Sequence, residues 1–215
     1  MIEKMADFFD ARVEGYEEHM MTNIVAADEY YPETARQFPA VDNMNLLDLG
    51  CGTGLELDHL FPRIPGLTVT GVDLSGRMLQ RLREKYPYKP MTLIQGDYFT
   101  VELPENSFDA AIAVQTMHHF RDAEKTALYR RILSFLKEGG LYVETDYTAV
   151  NEAEEKQMLS EADRLIAENG DKETLFHIDI PFTLEHEMRL LTEAGFSEVK
   201  AVWHKANTAI MTARK

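Results

Sequence analysis

Three glycines stand at alternate positions directly after a short apolar segment. Residues 46–49 are Leu-Leu-Asp-Leu, and Gly50, Gly52 and Gly54 follow before a helical pattern begins. Glycine lets the backbone turn sharply and lets a ligand approach it closely, and the first turn of a helix offers unpaired N–H groups to a polar or anionic group. The loop therefore predicts a ligand site, with a plain tight turn between a strand and a helix as the alternative.

An aspartate ends the next predicted strand. Asp73 follows the β-branched residues of segment 68–72 and lies 19 residues after Gly54. In a strand–helix–strand unit, a carboxylate at this position lies beside the glycine loop and can accept hydrogen bonds from both hydroxyls of a ribose. The alternative is a helix N-cap, but the two roles are compatible because Ser75 can serve as the cap.

Two cofactor classes compete for this loop. The dinucleotide fingerprint is G-x-G-x-x-G, whereas this loop reads G-x-G-x-G, so a nicotinamide cofactor and hydride transfer are the weaker interpretation. Asp48 lies two residues before the first glycine, where a carboxylate would suit a ligand that carries an ammonium group. S-adenosylmethionine is such a ligand.

Four segments together resemble a known family. LLDLGCGTG, VTGVD, QGDY and FDAAIAVQTMHHF resemble, in order and spacing, the sequential motifs of class I S-adenosylmethionine-dependent methyltransferases, from about residue 45 to the C-terminus. The resemblance implies S-adenosylmethionine as the cofactor and methyl transfer as the activity. A cofactor-binding regulatory or partner module without turnover is the main alternative, and a nicotinamide-dependent oxidoreductase is a weaker one.

The resemblance also implies roles for individual residues. In such enzymes the glycine loop runs under the methionine part of the cofactor, an acid such as Asp73 binds the ribose, and a pair such as Asp97-Tyr98 flanks the adenine. Gln115 and Thr116 stand where the family places the methyl group and the acceptor. The full set expected to bind the cofactor is Asp48, Gly50, Cys51, Gly52, Gly54, Asp73, Leu74, Met78, Asp97, Tyr98 and Gln115.

Two histidines follow the fourth predicted strand, near the expected methyl group. A general base is needed only if the acceptor must lose a proton, and His118 and His119 are the candidates, with a packing role as the alternative. We expect adjacent histidines to point in different directions, so that one at most faces the site. Because the seven histidines are scattered, no metal site is expected. The candidates for lining an acceptor pocket are Tyr16, His19, Tyr147 and His177.

Charge and composition narrow the class of partner. The 215 residues include 37 acids and 22 Lys and Arg, for a net charge of −15, which disfavours nucleic acid and anionic membrane surfaces as partners. The Pro-Pro-aromatic pattern of DNA amino-methyltransferases is replaced by Gln-Thr-Met-His at residues 115–118. A small-molecule acceptor is therefore favoured, and a protein acceptor stays open. One cysteine and no apolar run approaching 18 residues predict a cytoplasmic chain without a disulfide or membrane helix.

Strands and helices alternate from residue 45 onward. The predicted strands are 45–49, 68–72, 91–95, 108–114, 141–145, 196–203 and 207–213, the last two forming a hairpin with its turn at 204–206. The predicted helices are 55–61, 76–86, one capped by Asp122 and ended by Gly139-Gly140, and one from Thr183 to Gly195. This pattern predicts an α/β, Rossmann-like, seven-stranded and mostly parallel sheet with helices on both faces and a C-terminal antiparallel hairpin.

Two further segments are expected to cap this core within a single domain of residues 1–215. Residues 1–44 carry ten acids and three bases, and their apolar residues fall at helical spacing, which predicts one helix over the first 20 residues and a second from about 22 to 37. A probable second cap covers residues 147–181, with a helical stripe that ends at Asn169-Gly170. We expect both to form a lid over the methyl donor; covering the sheet without touching a ligand is the alternative.

Overall fold

A seven-stranded sheet runs through the centre of the computed structural model, which describes residues 2–169, 171 and 174–215. The strand order is β3-β2-β1-β4-β5-β7-β6, with β1 to β5 parallel and β7 antiparallel to both of its neighbours. The strands are β1 (Asn43–Leu49), β2 (Gly66–Asp73), β3 (Met91–Gln95), β4 (Phe108–Val114), β5 (Leu136–Tyr147), β6 (Ser197–Lys205) and β7 (Thr208–Arg214). The predicted α/β fold with a C-terminal antiparallel hairpin is confirmed.

Helices cover both faces of the sheet. They are α1 (Met5–Arg12), α2 (Tyr16–Asn23), α3 (Ala27–Arg36), α4 (Leu57–Arg63), α5 (Gly76–Lys85), α6 (Asp122–Phe135), α7 (Glu152–Asn169) and α8 (Leu184–Ala194). One buried apolar cluster joins α3, α4 and α5 to one face, and a second joins α6 and α8 to the other. No helix in the described ranges is long and apolar enough to cross a membrane.

The strand order reverses between β1 and β4. Chain segments after β1 lead outward through β2 and β3, whereas β4 lies on the opposite side of β1 and leads toward β5. The loops that follow two such strands diverge and leave a crevice at the carboxyl edge of the sheet, where ligands of open α/β sheets bind. The register pairs Leu49 with Ala113, so the glycine loop and the residues after β4 start side by side.

The N-terminal region differs from the two helices predicted for it. The first helical stretch is interrupted by a 3-10 turn at Val13–Gly15, and the next helix begins at Ala27 rather than near residue 22. The break before α3 coincides with Ala26, whose φ of 62° is left-handed and cannot continue a right-handed helix. Helix α3 also belongs to the core, because its residues Tyr30 and Tyr31 are buried in the apolar cluster on that face of the sheet.

Gly139-Gly140 does not end α6, contrary to the prediction. Helix α6 ends at Phe135 and β5 begins at the next residue. Pairing with β4 jumps from Phe108–Leu136 to Ala110–Leu141, and Gly139 has a left-handed φ of 73° within this irregularity. The two glycines therefore allow a bulge in a strand, a feature that pairing with β4 decides.

The predictions for the start of α6 and for the turn of the terminal hairpin were also wrong by one or two residues. Asp122 is the first residue of α6 rather than its cap, and Glu124 accepts the backbone N–H of Arg121 at 2.8 Å. In the terminal hairpin, residues 204 and 205 continue β6, so the turn consists of Ala206 and Asn207. The helix predicted from Thr183 to Gly195 is confirmed, with Thr183 accepting the N–H of His186.

The two predicted cap segments contact each other. Met5 donates its backbone N–H to Leu175, and His177 donates its own to Glu3, at 2.9 and 3.0 Å. In α7 the apolar stripe is half-buried, and Ala162 is its one buried member among the described residues. The predicted stop at Gly170 lies outside the described residues.

A buried polar network joins α6, α8 and β5. Lys125 of α6 and Glu187 of α8 form an ion pair with both side chains inaccessible to solvent. The hydroxyl of Tyr129 lies 3.0 Å from a carboxylate oxygen of Glu144 and 3.1 Å from one of Glu187, and Tyr142 donates to Glu144 at 2.8 Å. Burial, together with the charge of Glu187, raises the pKa of Glu144 to about 8.

We predict that Lys125→Met destabilises the fold strongly. Removing the cation leaves Glu187 buried without its partner, which costs about 3–5 kcal/mol of unfolding free energy, measured by urea denaturation. Adding Glu187→Leu should recover most of the loss, because an apolar pair removes the unpaired charge. Lys156→Met, which breaks the exposed pair with Glu152, is the control and should leave stability nearly unchanged. A Lys125→Met protein as stable as the wild type would contradict this account.

Candidate active site

The glycine loop turns over the end of β2. Gly50 donates its backbone N–H to the carbonyl of Val72 at 2.8 Å, which holds the loop against the neighbouring strand. Gly50, Gly52 and Gly54 have φ values of 71°, 46° and 75°, a left-handed conformation that other residues adopt at a cost. Backbone conformation is therefore already a sufficient reason for glycine at these three positions.

The three glycines face different surroundings. A Cβ atom at Gly50 would lie 2.5 Å from Thr116 Oγ1, and one at Gly54 would lie 2.5 Å from Leu82 Cδ1. At Gly52 the nearest atom beyond its neighbours would be Tyr16 Cε1, at 3.9 Å. Gly50 and Gly54 thus permit close packing of protein on protein, whereas Gly52 leaves room on the side of the cleft.

Asp73 lies at the end of β2 with both carboxylate oxygens engaged by backbone. Oδ2 accepts the N–H of Gly52 and Oδ1 accepts the N–H of Ser75, each at 2.8 Å. Ser75 accepts the N–H of Met78 and so caps α5, which leaves Asp73 free of that role. Burial raises the pKa of Asp73 to about 6, although the two N–H groups act in the opposite direction. Each oxygen keeps a lone pair for a further donor.

A cleft opens at the switch point between β1 and β4. Seven of the residues predicted to bind a cofactor line it, namely Gly50, Gly52, Asp73, Leu74, Met78, Tyr98 and Gln115. Thr116 and His119 line it as well. Three N-terminal residues, Met5, Phe9 and Tyr16, form one wall of the cleft. All three belong to the apolar stripe of the first 20 residues, which was the signal for this wall in the sequence.

Three of the residues predicted to bind the cofactor do not line this cleft. Cys51 is buried in the core, where its Sγ would lie 2.7 Å from a Cβ atom added at Gly71. Gly54 packs against Leu82, as described above. The carboxylate of Asp97 accepts the backbone N–H of Phe99 at 2.8 Å, and Asp97 is not among the residues that line the cleft.

Asp48 is buried beside a second acid, Glu56, which sequence reasoning missed. Their exposed fractions are 1% and 5%, and within the described residues Asp48 Oδ2 and Glu56 Oε1 have no hydrogen-bond partner. Burial and the neighbouring carboxyl group raise the pKa of Asp48, and burial raises that of Glu56 to about 7. The available signal for Glu56 was an acid two residues after the last glycine. The two oxygens without a partner, one on each acid, would suit an ammonium group.

Gln115 connects this cleft to a second, larger cavity. Its φ of 52° is left-handed, and its N–H donates to Thr145 at 2.8 Å. Such backbone strain outside glycine concentrates at functional sites. The second cavity, which we call the chamber, has a volume of about 600 Å³. It is lined by Phe8, Phe9, Ala11, Arg12, Glu14, Gly15, Tyr16, His19, Met20, Ile24, Gln115, His118, His119, His177 and Asp179.

The chamber contains three of the four predicted acceptor residues. Tyr16, His19 and His177 line it, and the ring of His177 stacks on Phe8 with 3.6 Å between centroids. Tyr147 is not among the lining residues, and its hydroxyl lies 3.9 Å from the sulfur of Met158 in α7.

His118 and His119 both face the chamber, contrary to the expectation that one at most would do so. Their ring centroids are 4.0 Å apart. They lie in a 3-10 turn, Met117–His119, where successive side chains are about 120° apart instead of alternating as in a strand. Burial lowers the pKa of His118, but the carboxylate of Asp146 outweighs burial, so the pKa of His118 is raised overall. Burial and the adjacent His118 hold the pKa of His119 well below its usual range.

The glycine loop and Asp73 line a cleft at the switch point of the sheet, which is where open α/β sheets bind ligands. The buried acids Asp48 and Glu56 lie near the loop but are not among the residues that line the cleft. Residues 46–140 match the family model described as a methyltransferase domain. The match covers less than half of the chain, and over that stretch the sequence is similar to methyltransferase domains. The partnerless oxygens of Asp48 and Glu56 and the open side of Gly52 are compatible with S-adenosylmethionine, the cofactor that the sequence predicts.

The proteins that this chain is similar to include several methyltransferases. An uncharacterized methyltransferase of Mycobacterium bovis is 39% identical over 85 residues, which cover 40% of this chain and 42% of that protein. A sterol 24-C-methyltransferase of Gibberella zeae is 27% identical over 152 residues, 68% of this chain and 38% of that protein. Human N-acetylserotonin methyltransferase in complex with S-adenosylmethionine shares the fold, with a TM-score of 0.69, 20% identity and coverage of 96% and 56%. The chain spans about two fifths of the length of these first two relatives.

We predict that alanine at Gly52 mainly weakens ligand binding, whereas alanine at Gly54 mainly lowers stability. Gly52→Ala should weaken binding of S-adenosylhomocysteine at least about tenfold, because the new Cβ enters the cleft, and should cost only the φ strain of about 1–2 kcal/mol. Gly54→Ala adds a clash with Leu82 to the same strain, so it should lose about 1–3 kcal/mol more stability. Calorimetry and urea denaturation measure both. Normal affinity in Gly52→Ala would contradict the assignment of this loop.

We also predict that cofactor affinity falls in acid. The ribose hydroxyls donate to a carboxylate, so protonated Asp73 binds them less well. With pKa values of about 7 for Glu56 and about 6 for Asp73, affinity for S-adenosylhomocysteine should fall as pH drops below about 7 and fall further below about 6. Asp73→Asn isolates the contribution of Asp73 from those of Asp48 and Glu56 and should show a smaller dependence on pH. Equal pH profiles for wild type and Asp73→Asn would argue against the ribose role.

Proposed function

We propose that this chain transfers the methyl group of S-adenosylmethionine to a small-molecule acceptor bound in the chamber. The observation that carries the proposal is the junction of the two cavities, which share Phe9, Tyr16, Gln115 and His119. A ligand in the chamber would therefore approach the cofactor at the point where the family places its methyl group. When bound, the cofactor supplies a methyl group already activated on a sulfonium.

Different residues at and near the cleft would bind different parts of the cofactor. Asp73 would accept the two ribose hydroxyls, and the Asp48–Glu56 pair would bind the amino end. Tyr98 and Met78 offer apolar surface for the adenine side of the cleft, where both are buried. The protein's task in such a displacement is mainly to align the reacting atoms and to exclude water.

The chamber suits a small, partly apolar acceptor. Its wall combines the apolar side chains of Phe8, Phe9, Met20 and Ile24 with the polar ends of the histidines. Apolar cavities with a few convergent polar groups are typical of sites for small molecules. The names of two similar proteins point the same way, because a sterol and N-acetylserotonin are both small molecules. The net charge of −15 speaks against nucleic acid as the acceptor.

The N-terminal helices serve as the lid. Asp10 of α1 accepts the hydroxyl hydrogen of Ser75, and its carbonyl accepts a hydrogen bond from Arg77 at 2.6 Å, so α1 is tied to the start of α5 beside the ribose acid. The segment after α7 pairs with the residues before α1 and completes the cover. Opening of this lid would admit both ligands, and closure would exclude water.

His118 and His119 are the residues proposed to assist when the acceptor is a hydroxyl or a thiol. Nδ1 of His119 lies 3.2 Å from the carbonyl of Ile178, which accepts only, so the neutral ring carries its hydrogen there and keeps Nε2 as an acceptor. A proton could pass directly to such an imidazole, or a metal ion held by the imidazoles could weaken the acceptor's O–H or S–H bond. The two routes differ in their dependence on metal.

We predict acceptor-dependent turnover that needs His119. The full chain is incubated with S-adenosylmethionine and a panel of small hydroxyl, thiol and amine compounds, and S-adenosylhomocysteine is quantified by mass spectrometry. His119→Gln should reduce kcat for a hydroxyl or thiol acceptor by about 100-fold or more while cofactor affinity changes only a few-fold. Asp73→Ala is the matched control and should lose affinity instead. Tight cofactor binding without turnover of any acceptor would favour the regulatory module, and preference for NAD would favour an oxidoreductase.

A further inference from the structure

Three side chains with ligand atoms for a metal ion converge at the inner end of the chamber. His118 and His119 come from the turn after β4, and Asp179 comes from the segment that returns across the N-terminal helices. One ligand atom from each lies within 4.8 Å of the others. The two histidines are buried and the aspartate is half-buried, so the group lies in the cavity wall rather than on the outer surface.

The spacing of Asp179 from the two histidines suits a shared ion better than direct hydrogen bonds. Asp179 Oδ1 lies 3.7 Å from Nε2 of His118 and 3.5 Å from Nδ1 of His119. Both distances exceed the range of about 2.7–3.2 Å for a good N–H···O bond. Ligand atoms about 2.0–2.2 Å from a tetrahedral zinc ion lie about 3.3–3.6 Å from one another.

His118 is oriented as a metal ligand would be. Its Nδ1 lies 2.5 Å from Asp146 Oδ1, and the other oxygen of Asp146 accepts the backbone N–H of His118 at 2.8 Å. A ligating histidine almost always donates its second ring N–H to a carboxylate or carbonyl, which fixes the ring and frees the other nitrogen. Here the freed nitrogen, Nε2, is the one nearer Asp179.

His119 is less firmly held, and this suits a ligand that must adjust. Its one recorded hydrogen bond in the described chain is the contact with Ile178, whose 3.2 Å length is at the long end of the range. That contact is weak enough to be exchanged for a bond to metal. The ring of His177 lies 4.9 Å from that of His119 and offers a further nitrogen nearby.

The chemistry of the three ligands selects the class of ion. Imidazole nitrogens favour zinc and other first-row transition ions, whereas magnesium and calcium prefer sites built from oxygen alone. Three protein ligands leave at least one coordination position open, as in catalytic zinc sites. The open position would face the chamber, since all three residues line it.

We propose that His118, His119 and Asp179 bind one divalent transition-metal ion of the zinc type, with an open position for the acceptor. Its role rests on the proposed function. Coordination of the acceptor's oxygen or sulfur would release its proton to solvent, after which a bond forms from that atom to the methyl carbon as the carbon–sulfur bond of the sulfonium breaks. The products are the methylated acceptor, S-adenosylhomocysteine and one proton, so no oxidant or reductant is needed.

The test is calorimetric titration of the full, chelator-treated chain with Zn²⁺ alone, followed by Co²⁺ as a spectroscopic probe. We expect one ion per chain and visible absorption from Co²⁺ in a low-symmetry nitrogen–oxygen site. Asp179→Asn should weaken Zn²⁺ binding by about tenfold or more, because loss of a ligand should cost at least as much affinity as loss of a residue that only holds a ligand in place. His186→Gln is the matched control, because His186 also lies between two carboxylates, Glu155 at 2.8 Å and Asp122 at 3.2 Å, but outside the chamber.

The outcomes separate the metal site from the methyltransferase function. A wild type that binds no Zn²⁺, or an Asp179→Asn protein that binds it as tightly, overturns the metal site. Unchanged circular dichroism and unchanged S-adenosylhomocysteine affinity in Asp179→Asn exclude misfolding as the cause of a loss. A chain that binds Zn²⁺ but not S-adenosylhomocysteine retains the metal site and contradicts the proposed function instead.

Discussion

The pairing of β1 with β4 at the centre of the sheet is the constraint on which the rest of the site depends. Their register places the glycine loop beside the residues that follow β4, and Gly50 leaves room for Thr116 because it has no side chain. The two chain segments then diverge, and the cleft lies between them. The left-handed turn at Gln115 redirects the chain so that the next residues, His118 and His119, reach the chamber.

Three buried acids lie around the glycine loop, and one of them, Asp73, lines the cleft. Asp48, Glu56 and Asp73 all lie around the glycine loop with little exposure, and burial raises the pKa of each. Burial costs each carboxylate its hydration, and in the described chain one oxygen of Asp48 and one of Glu56 have no hydrogen-bond partner to offset that cost. A cofactor with an ammonium group, a sulfonium and ribose hydroxyls supplies the missing positive charge and hydrogen-bond donors. Part of its binding energy would thus come from relieving a cost already present in the folded chain.

The proposed lid depends on contacts between segments far apart in the sequence. Backbone hydrogen bonds join residues 3–5 to residues 175–177, and Asp10 connects α1 to the start of α5. Because the same helices supply Phe9 and Tyr16 to both cavities, closure would shape the cofactor cleft and the chamber together. Binding of one ligand would then affect the shape of the site for the other.

The sequence alone determined the features that depend on near neighbours along the chain. The strands at 91–95 and 108–114, the glycine loop, Asp73 at a strand end and the Ser75 cap all follow from local patterns, and the structure has them at those positions. Tertiary structure decided the rest. The glycines at 139 and 140 lie in a strand because β4 pairs with it there, and Glu56 joins Asp48 only when the loop has folded. Asp179 meets the two histidines across about 60 positions of chain, where no local spacing records the contact.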